Sequence, residues 1–301
     1  MGAGQLVRTP LVPSGYLAAR TGARVSLKLE LFQVTGSFKP RGVLNALQDL
    51  TPDERRRGVI SMSAGNHAQA LAWAATAIGV AATIVMPATA VRRKVDATRA
   101  LGGEVVLTDG NLLATVEQLQ REGGQVFLHP FDDHRVIAGQ GTVGLEVVED
   151  APDVELVVVG CGGGGLLAGV AAAVKALHPT ARIIGVEPAG ADAMHQSLVA
   201  GEPVHLARTT TIADGLAAPF AGTRPLHHAQ ALVDEIVVIE DEEILEGVKV
   251  LMQHARILPE PAGAAATAAL LSGRLAVQPG AHVVSIVSGG NADPDLLKSL
   301  L

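Results

Sequence analysis

The sequence predicts an α/β protein whose open, twisted, mostly parallel sheets are covered by helices. Three observations carry this. Short β-branched runs recur along the chain, Ala- and Leu-rich stretches of helical length separate them, and glycines cluster where a run ends. Continuous apolar runs suit strands buried on both faces, and strand-helix alternation is the pattern that parallel sheets require.

The predicted strands, in order, are residues 25–31, 59–62, 83–86, 105–107, 156–159, 182–186, 235–239 and 282–287. The first leads to a Gly-Ser-Phe-Lys-Pro turn, and the second to a polar turn rich in serine. Residues 156–159 are wholly Leu and Val and end in a glycine run, and 282–287 end in Ser-Gly-Gly-Asn. Helices are expected at 67–78, 113–121, 166–177, 242–254 and 262–271, the Ala- and Leu-rich stretches of helical length. The glycine-rich turns come from widely separated stretches and each follows a strand, so a cleft between two α/β units is expected beyond the strands' carboxyl ends.

The chain has 301 residues, 48% of them apolar, with 23 Lys and Arg against 30 Asp and Glu. That is enough to bury one or two cores without disulfides or metals. A formal charge of -7 offers no basic stripe for nucleic acid. The single cysteine, Cys161, excludes a disulfide framework and a Cys-rich metal centre, and fits a reducing cytoplasm. The N-terminus has no signal-like pattern and no apolar run has the length of a membrane span, so neither secretion nor membrane insertion is expected.

Four segments carry chemistry. Gly36-Ser37-Phe38-Lys39-Pro40-Arg41-Gly42 places a lysine and an aromatic at a helix start capped by Ser37. Such a lysine is either a solvated surface residue or a depressed-pKa amine able to form a Schiff base. Ser61-Met62-Ser63-Ala64-Gly65-Asn66-His67 runs from strand to helix with Ser63 or Asn66 as the expected cap, and the exposed N–H groups suit a carboxylate. His67 reads as a structural or a catalytic histidine. Gly162-Gly163-Gly164-Gly165-Leu166 follows a buried strand and opens a helix, which lets several backbone amides converge on one phosphate; a flexible turn is the alternative. Ser288, at the end of the last strand, could exchange one hydrogen bond with a heterocycle.

Taken together and in this order, these segments resemble the fold type II pyridoxal-phosphate enzymes, within them the threonine/serine dehydratase and serine racemase group. The resemblance runs from Thr9-Pro10-Leu11 to Ser288-Gly289-Gly290-Asn291 and includes His129-Pro130-Phe131-Asp132, Gly185-Val186-Glu187-Pro188, Ala213-Asp214-Gly215-Leu216 and Glu260-Pro261-Ala262-Gly263. It implies a tryptophan-synthase-β-like fold, with a large cofactor domain of residues 1–60 and 138–301, a small domain of residues 61–137, and pyridoxal 5'-phosphate in the cleft. Lys39 would carry the cofactor and act as catalytic base, and Phe38 would lie against its ring. Asn66 would meet the ring hydroxyl, the amides of Gly162, Gly163, Gly164, Gly165 and Leu166 the phosphate, and Ser288 the ring nitrogen. Ser63, Ala64, Gly65, Asn66 and His67 would bind the substrate carboxylate. A neutral serine does not hold the ring nitrogen protonated, which favours expulsion of a β-hydroxyl.

The resemblance therefore implies an L-threonine and/or L-serine ammonia-lyase, cytoplasmic and assembled as a homodimer or larger homo-oligomer. Alternatives are a serine racemase, a hydroxyaspartate dehydratase, a cysteine-synthase-like β-replacement enzyme and a non-catalytic binding protein. Where serine racemases carry a second acid/base serine this chain has Ala64, which turns the expectation toward elimination. Many relatives also hold a divalent cation after the Val-Glu-Pro stretch. Here Glu187 and Ala191 remain for that role and Ala193 stands where a carboxylate is expected, so a divalent cation is possible only through an incomplete set of ligands. With the chain closing soon after Asn291, a C-terminal regulatory domain is not expected either.

Overall fold

The structure, a computed structural model, describes residues 6–300. The chain begins with β1 (Leu11–Pro13), α1 (Gly15–Thr21), β2 (Arg24–Leu29), α2 (Lys39–Gln48) and α3 (Pro52–Arg57). Next come β3 (Val59–Met62), α4 (Asn66–Ala77), β4 (Ala82–Pro87), α5 (Arg92–Ala100), β5 (Glu104–Thr108), α6 (Leu112–Gly123) and β6 (Val126–Phe127). It continues with α7 (His134–Asp150), β7 (Leu156–Gly160), α8 (Gly165–Leu177), β8 (Arg182–Pro188), α9 (Ala193–Ala200) and α10 (Thr223–Leu232). The last elements are β9 (Glu235–Ile239), α11 (Asp241–Val250), α12 (Pro261–Leu271), β10 (His282–Val287) and α13 (Pro294–Ser299).

The strands form two sheets, as the alternation predicts. The larger has the order β1-β2-β10-β7-β8-β9, parallel except for β1, which runs antiparallel to β2. The smaller, β5-β4-β3-β6, is parallel throughout. Central strand β7 is fully buried because helices cover both faces, and Val157, Val158 and Val159 expose nothing. In β10, Val283 lies opposite Val25 on one side and Leu156 on the other. This register brings the carboxyl ends of β2, β10 and β7 to one edge, so the segments after each strand meet there.

Helix α7 is absent from the predicted helices, and its composition explains why. Gly139, Gly141 and Gly144 lower its intrinsic helix preference. They are needed for packing: a methyl group on Gly139 would collide with the Arg41 carbonyl, and one on Gly144 would come within 2.9 Å of the Val170 carbonyl. The helix therefore lies almost backbone to backbone against α2 and α8.

Behind α2 sits a buried ion cluster. The Arg41 guanidinium donates to Glu30 at 2.7 and 2.8 Å and to Glu146 at 2.7 and 2.9 Å, while Lys28 Nζ donates to Glu146 at 2.6 Å and to the Thr9 carbonyl at 2.7 Å. Two cations face two carboxylates, so the cluster is neutral and each charge is met by hydrogen bonds. It ties β2, α2 and α7 together just behind Lys39.

Candidate active site

Residues 37 and 38 are zipped to the end of β10. Ser37 pairs with Gly289 across an isolated bridge, and the Phe38 N–H donates to the Ser288 carbonyl at 3.1 Å. Helix α2 starts immediately afterwards, with Phe38 as its N-cap, Lys39 as its first residue and Pro40 in the first turn. Ser37 does not cap this helix. Its backbone is extended by the bridge to Gly289, and its buried hydroxyl has no partner. Lys39 Nζ donates to the Pro130 carbonyl at 3.1 Å and lies 5.1 Å from the centre of the Phe38 ring. Burial pulls the amine down to about 8, against a smaller opposing pull from Glu260.

Lys39 opens into a cavity of about 680 Å³ into which two helices aim their amino ends. Helix α8 begins after Gly162–Gly164, and α4 after Ser63–Gly65; neither has a side-chain cap or an acidic residue in its first turn. The first N–H groups of each helix lack an intrahelical partner and carry the positive end of its dipole. The cavity thus holds two separate anion-binding surfaces, one beside each sheet. Neither Ser63 nor Asn66 caps α4: Gly65 takes the cap position, and Ser63 Oγ instead accepts from the Gly65 N–H at 3.2 Å. Gly164 has φ of 90°, a left-handed turn that favours glycine.

Asn66 is oriented by its neighbours. Its Nδ2 donates to Glu260 Oε1 at 2.6 Å, and its Oδ1 accepts from Asn291 Nδ2 at 2.8 Å. The second hydrogen on Nδ2 is left for the cavity. Burial raises Glu260 to about 7, opposed chiefly by its hydrogen bond from Asn66. Ser288 also lines the cavity, its hydroxyl donating weakly to the Ala262 carbonyl at 3.4 Å.

His67 lies behind the α4 turn with its Nε2 3.0 Å from Ser61 Oγ, which itself donates to the Leu128 carbonyl. Burial, with Lys39 and His129 nearby, holds this imidazole well below its usual pKa. The cavity therefore brings together every expected cofactor and substrate residue: Phe38, Lys39, Ser63, Ala64, Gly65, Asn66, His67, Gly162, Gly163, Gly164, Gly165, Leu166 and Ser288. Sequence reasoning assigned no role to Glu260, Asn291 or the Pro130 carbonyl, although all three stand in motif stretches quoted above.

Glu187 and Ala191 lie elsewhere, beyond β8. Glu187 is fully buried, and its two oxygens accept the N–H groups of Met194 and His195 at 2.9 and 2.7 Å, so the carboxylate binds the start of α9. Burial lifts it to about 8. Ala191 and Ala193 add no side-chain oxygen. No cluster of three or more His, Cys, Asp or Glu side chains suited to a metal occurs among the described residues. This donor set does not fit a hard divalent cation.

The family model for "Pyridoxal-phosphate dependent enzyme" matches residues 3–289. The chain is 43% identical to an L-threonine ammonia-lyase of Thermotoga maritima, over 98% of this chain and 74% of that protein. It is 44% identical to a catabolic L-threonine dehydratase of Staphylococcus aureus, over 95% of this chain and 84% of that one. The structure of maize serine racemase superposes with a TM-score of 0.95 at 37% identity, covering 99% of this chain and 92% of that chain. A family match over almost the whole chain, with relatives this similar, places the protein in the family of pyridoxal-phosphate dependent enzymes.

Proposed function

We propose that this chain is a pyridoxal-phosphate dependent ammonia-lyase that converts L-threonine or L-serine to the 2-oxo acid and ammonia. The cavity fits the cofactor on its own chemistry. The uncapped α8 amides of Gly162–Leu166 suit a phosphate, the spare hydrogen of Asn66 suits a ring hydroxyl, Ser288 offers a neutral partner to a ring nitrogen, and Lys39 offers a primary amine. When bound, pyridoxal phosphate supplies the electron sink that makes the Cα–H of an amino acid acidic.

The remaining work belongs to the chain. The amides at the start of α4 hold the substrate carboxylate, fixing Cα next to Lys39. Lys39 Nζ, held near pH 8 by burial, takes the Cα proton as a free amine. Phe38, which lines the cavity beside Lys39, would lie against the ring and keep water from that face. Ala64 is the observation that carries the choice of reaction: it lines the cavity at the α4 turn and has no proton to give, so that position supplies no second acid/base group for returning a proton to Cα. Elimination of the β-hydroxyl then outruns racemization.

Two units meeting at this cavity, residues 1–60 with 138–301 and residues 61–137, complete the reading. The small sheet draws its strands from 59–127 and the large sheet from both flanking stretches, which supports two units, with the first crossing before Val59 at the start of β3 and not within that strand at 60/61. No described helix is long and apolar enough to cross a membrane. A cytoplasmic homodimer or larger homo-oligomer is the assembly we expect. The test is a panel of β-hydroxy amino acids assayed for 2-oxo acid, ammonia and inverted amino acid. Equimolar 2-oxo acid and ammonia from L-threonine and L-serine is the expected result. D-serine formed from L-serine as fast as 2-oxo acid would overturn the choice of reaction.

A further inference from the structure

The turn after β6 reaches Lys39, the glycine loop and the start of α10 with three consecutive residues. The Pro130 carbonyl accepts from Lys39 Nζ at 3.1 Å. The Phe131 ring lies directly under the glycine loop, where a methyl group on Gly163 would strike it. The Asp132 carboxylate accepts the N–H groups of Thr223 and Arg224, at 3.2 and 3.0 Å, at the start of α10. What holds the turn is His129: its Nδ1 accepts the N–H groups of Phe131 at 3.3 Å and of Asp132 at 2.9 Å. A nitrogen that accepts two N–H groups carries no proton. The rings of Phe127 and Phe131 pack edge-on to the imidazole, at 5.7 and 4.5 Å between centres, and Phe220 lies at 6.2 Å. Burial, with Lys39 nearby, keeps the imidazole neutral, lowering it to about 4 although Asp132 and Asp133 pull the other way.

We infer that His129 is a positioning residue: its unprotonated Nδ1 fixes the turn that aims the Pro130 carbonyl at the Lys39 amine and seats the Phe131 ring beneath the phosphate loop. The inference rests on Lys39 as the cofactor lysine. Without the acceptor, two amides of a half-buried turn lose their partner and the turn rearranges. Lys39 and the loop then lose their common support at once.

The experiment compares His129→Asn, whose Oδ1 stands where Nδ1 stood, with His129→Phe, which keeps the ring volume and has no acceptor. Three quantities are read on the holoenzyme: pyridoxal-phosphate affinity by equilibrium dialysis, the pH midpoint of the bound cofactor's visible absorbance, and kcat separately from KM. The inference expects His129→Phe to bind the cofactor about tenfold more weakly, with a displaced midpoint and a fall in kcat larger than any rise in KM. His129→Asn should stay within about threefold of the native protein in all three. Should His129→Phe fail to fold, His129→Gln, whose amide stands one bond further out, replaces it with the same expectation. Native behaviour of the acceptor-free variant, or equal losses in His129→Asn, overturns the inference. Lys39→Ala, run alongside, tests the underlying reading separately: it must lose the visible absorbance whatever the His129 variants do.

Discussion

Burial pushes two neighbouring groups of the cavity in opposite directions. The Lys39 amine is lowered to about 8 and the Glu260 carboxyl is raised to about 7, so burial eases proton loss from the amine and hinders it from the carboxyl. If Lys39 must be a free amine to take the Cα proton, kcat rises with pH through a midpoint near 8 and levels about a unit above it; a profile flat from pH 6.5 to 8.5 would remove the amine from that role. Glu260 also affects stability. Its folded pKa lies above its unfolded value, so the native state holds a proton that the unfolded chain has released. The stability due to this group is present below about pH 4.5 and is lost as pH rises through about 7. Glu260→Gln keeps an acceptor for Asn66 without the charge, and unfolding titrations should show it gaining about 1–3 kcal/mol over the native protein at pH 8 relative to pH 4.5. An unchanged pH slope would contradict this. Lys39 was legible from its Ser-Phe-Lys-Pro setting, whereas Glu260 was not, because a carboxylate before a proline reads as an ordinary helix cap. Its link to Asn66 spans 194 positions and exists only in the fold.

Strand-to-turn transitions were the most readable features at the scale of the element. A buried apolar run ending in glycines announces both the strand and the anion-binding helix start, and β7 with α8 follows that pattern. The caps were less readable. Ser37, Ser63 and Asn66 are all residues that favour an N-cap, yet none caps its helix, because Ser37 is held extended by Gly289 and Gly65 takes the cap position of α4. The open start of α4 that results is one of the two helix ends we assign to anions. In the α8 turn, Gly163→Ala forces a methyl group against the Phe131 ring, and Gly164→Ala brings one within 2.5 Å of Met194 Cε. Each should cost about 1–3 kcal/mol. The loss should show most in pyridoxal-phosphate affinity, measured by dialysis, because the displaced atoms carry the amides we assign to the phosphate. A Gly163→Ala protein with native affinity would refute that placement of the phosphate.

For the molecule as a whole, the sequence revealed the alternation but not how it divides. Nothing in the composition marks the crossing from β2 to β3, and α7 is concealed by the glycines that let it pack on α2 and α8. The cluster of buried Lys28, Glu30 and Arg41 with partly buried Glu146 was equally hidden, since each residue alone reads as a surface charge. Arg41→Ala leaves Glu30 and Glu146 without their main partner in a buried setting, and denaturant unfolding should show a loss of about 3–5 kcal/mol. A loss below about 1 kcal/mol, the range of surface pairs, would mean that the cluster does not hold α2 in place. Across the mouth of the cavity, Lys94 of α5 meets Asp214 at 3.0 Å, but this pair is exposed and contributes little to stability. The site is therefore assembled mainly from behind, by packing and by the buried cluster, and its contents follow from which strand ends face one another.

The central claim is that Lys39 carries pyridoxal phosphate in this cavity. It is tested most directly by reducing the holoenzyme with borohydride and locating the phosphopyridoxyl group by peptide mass spectrometry. The account predicts that group on Lys39 alone. Finding it on another lysine, or on none while the protein still releases 2-oxo acid from L-threonine, would contradict it.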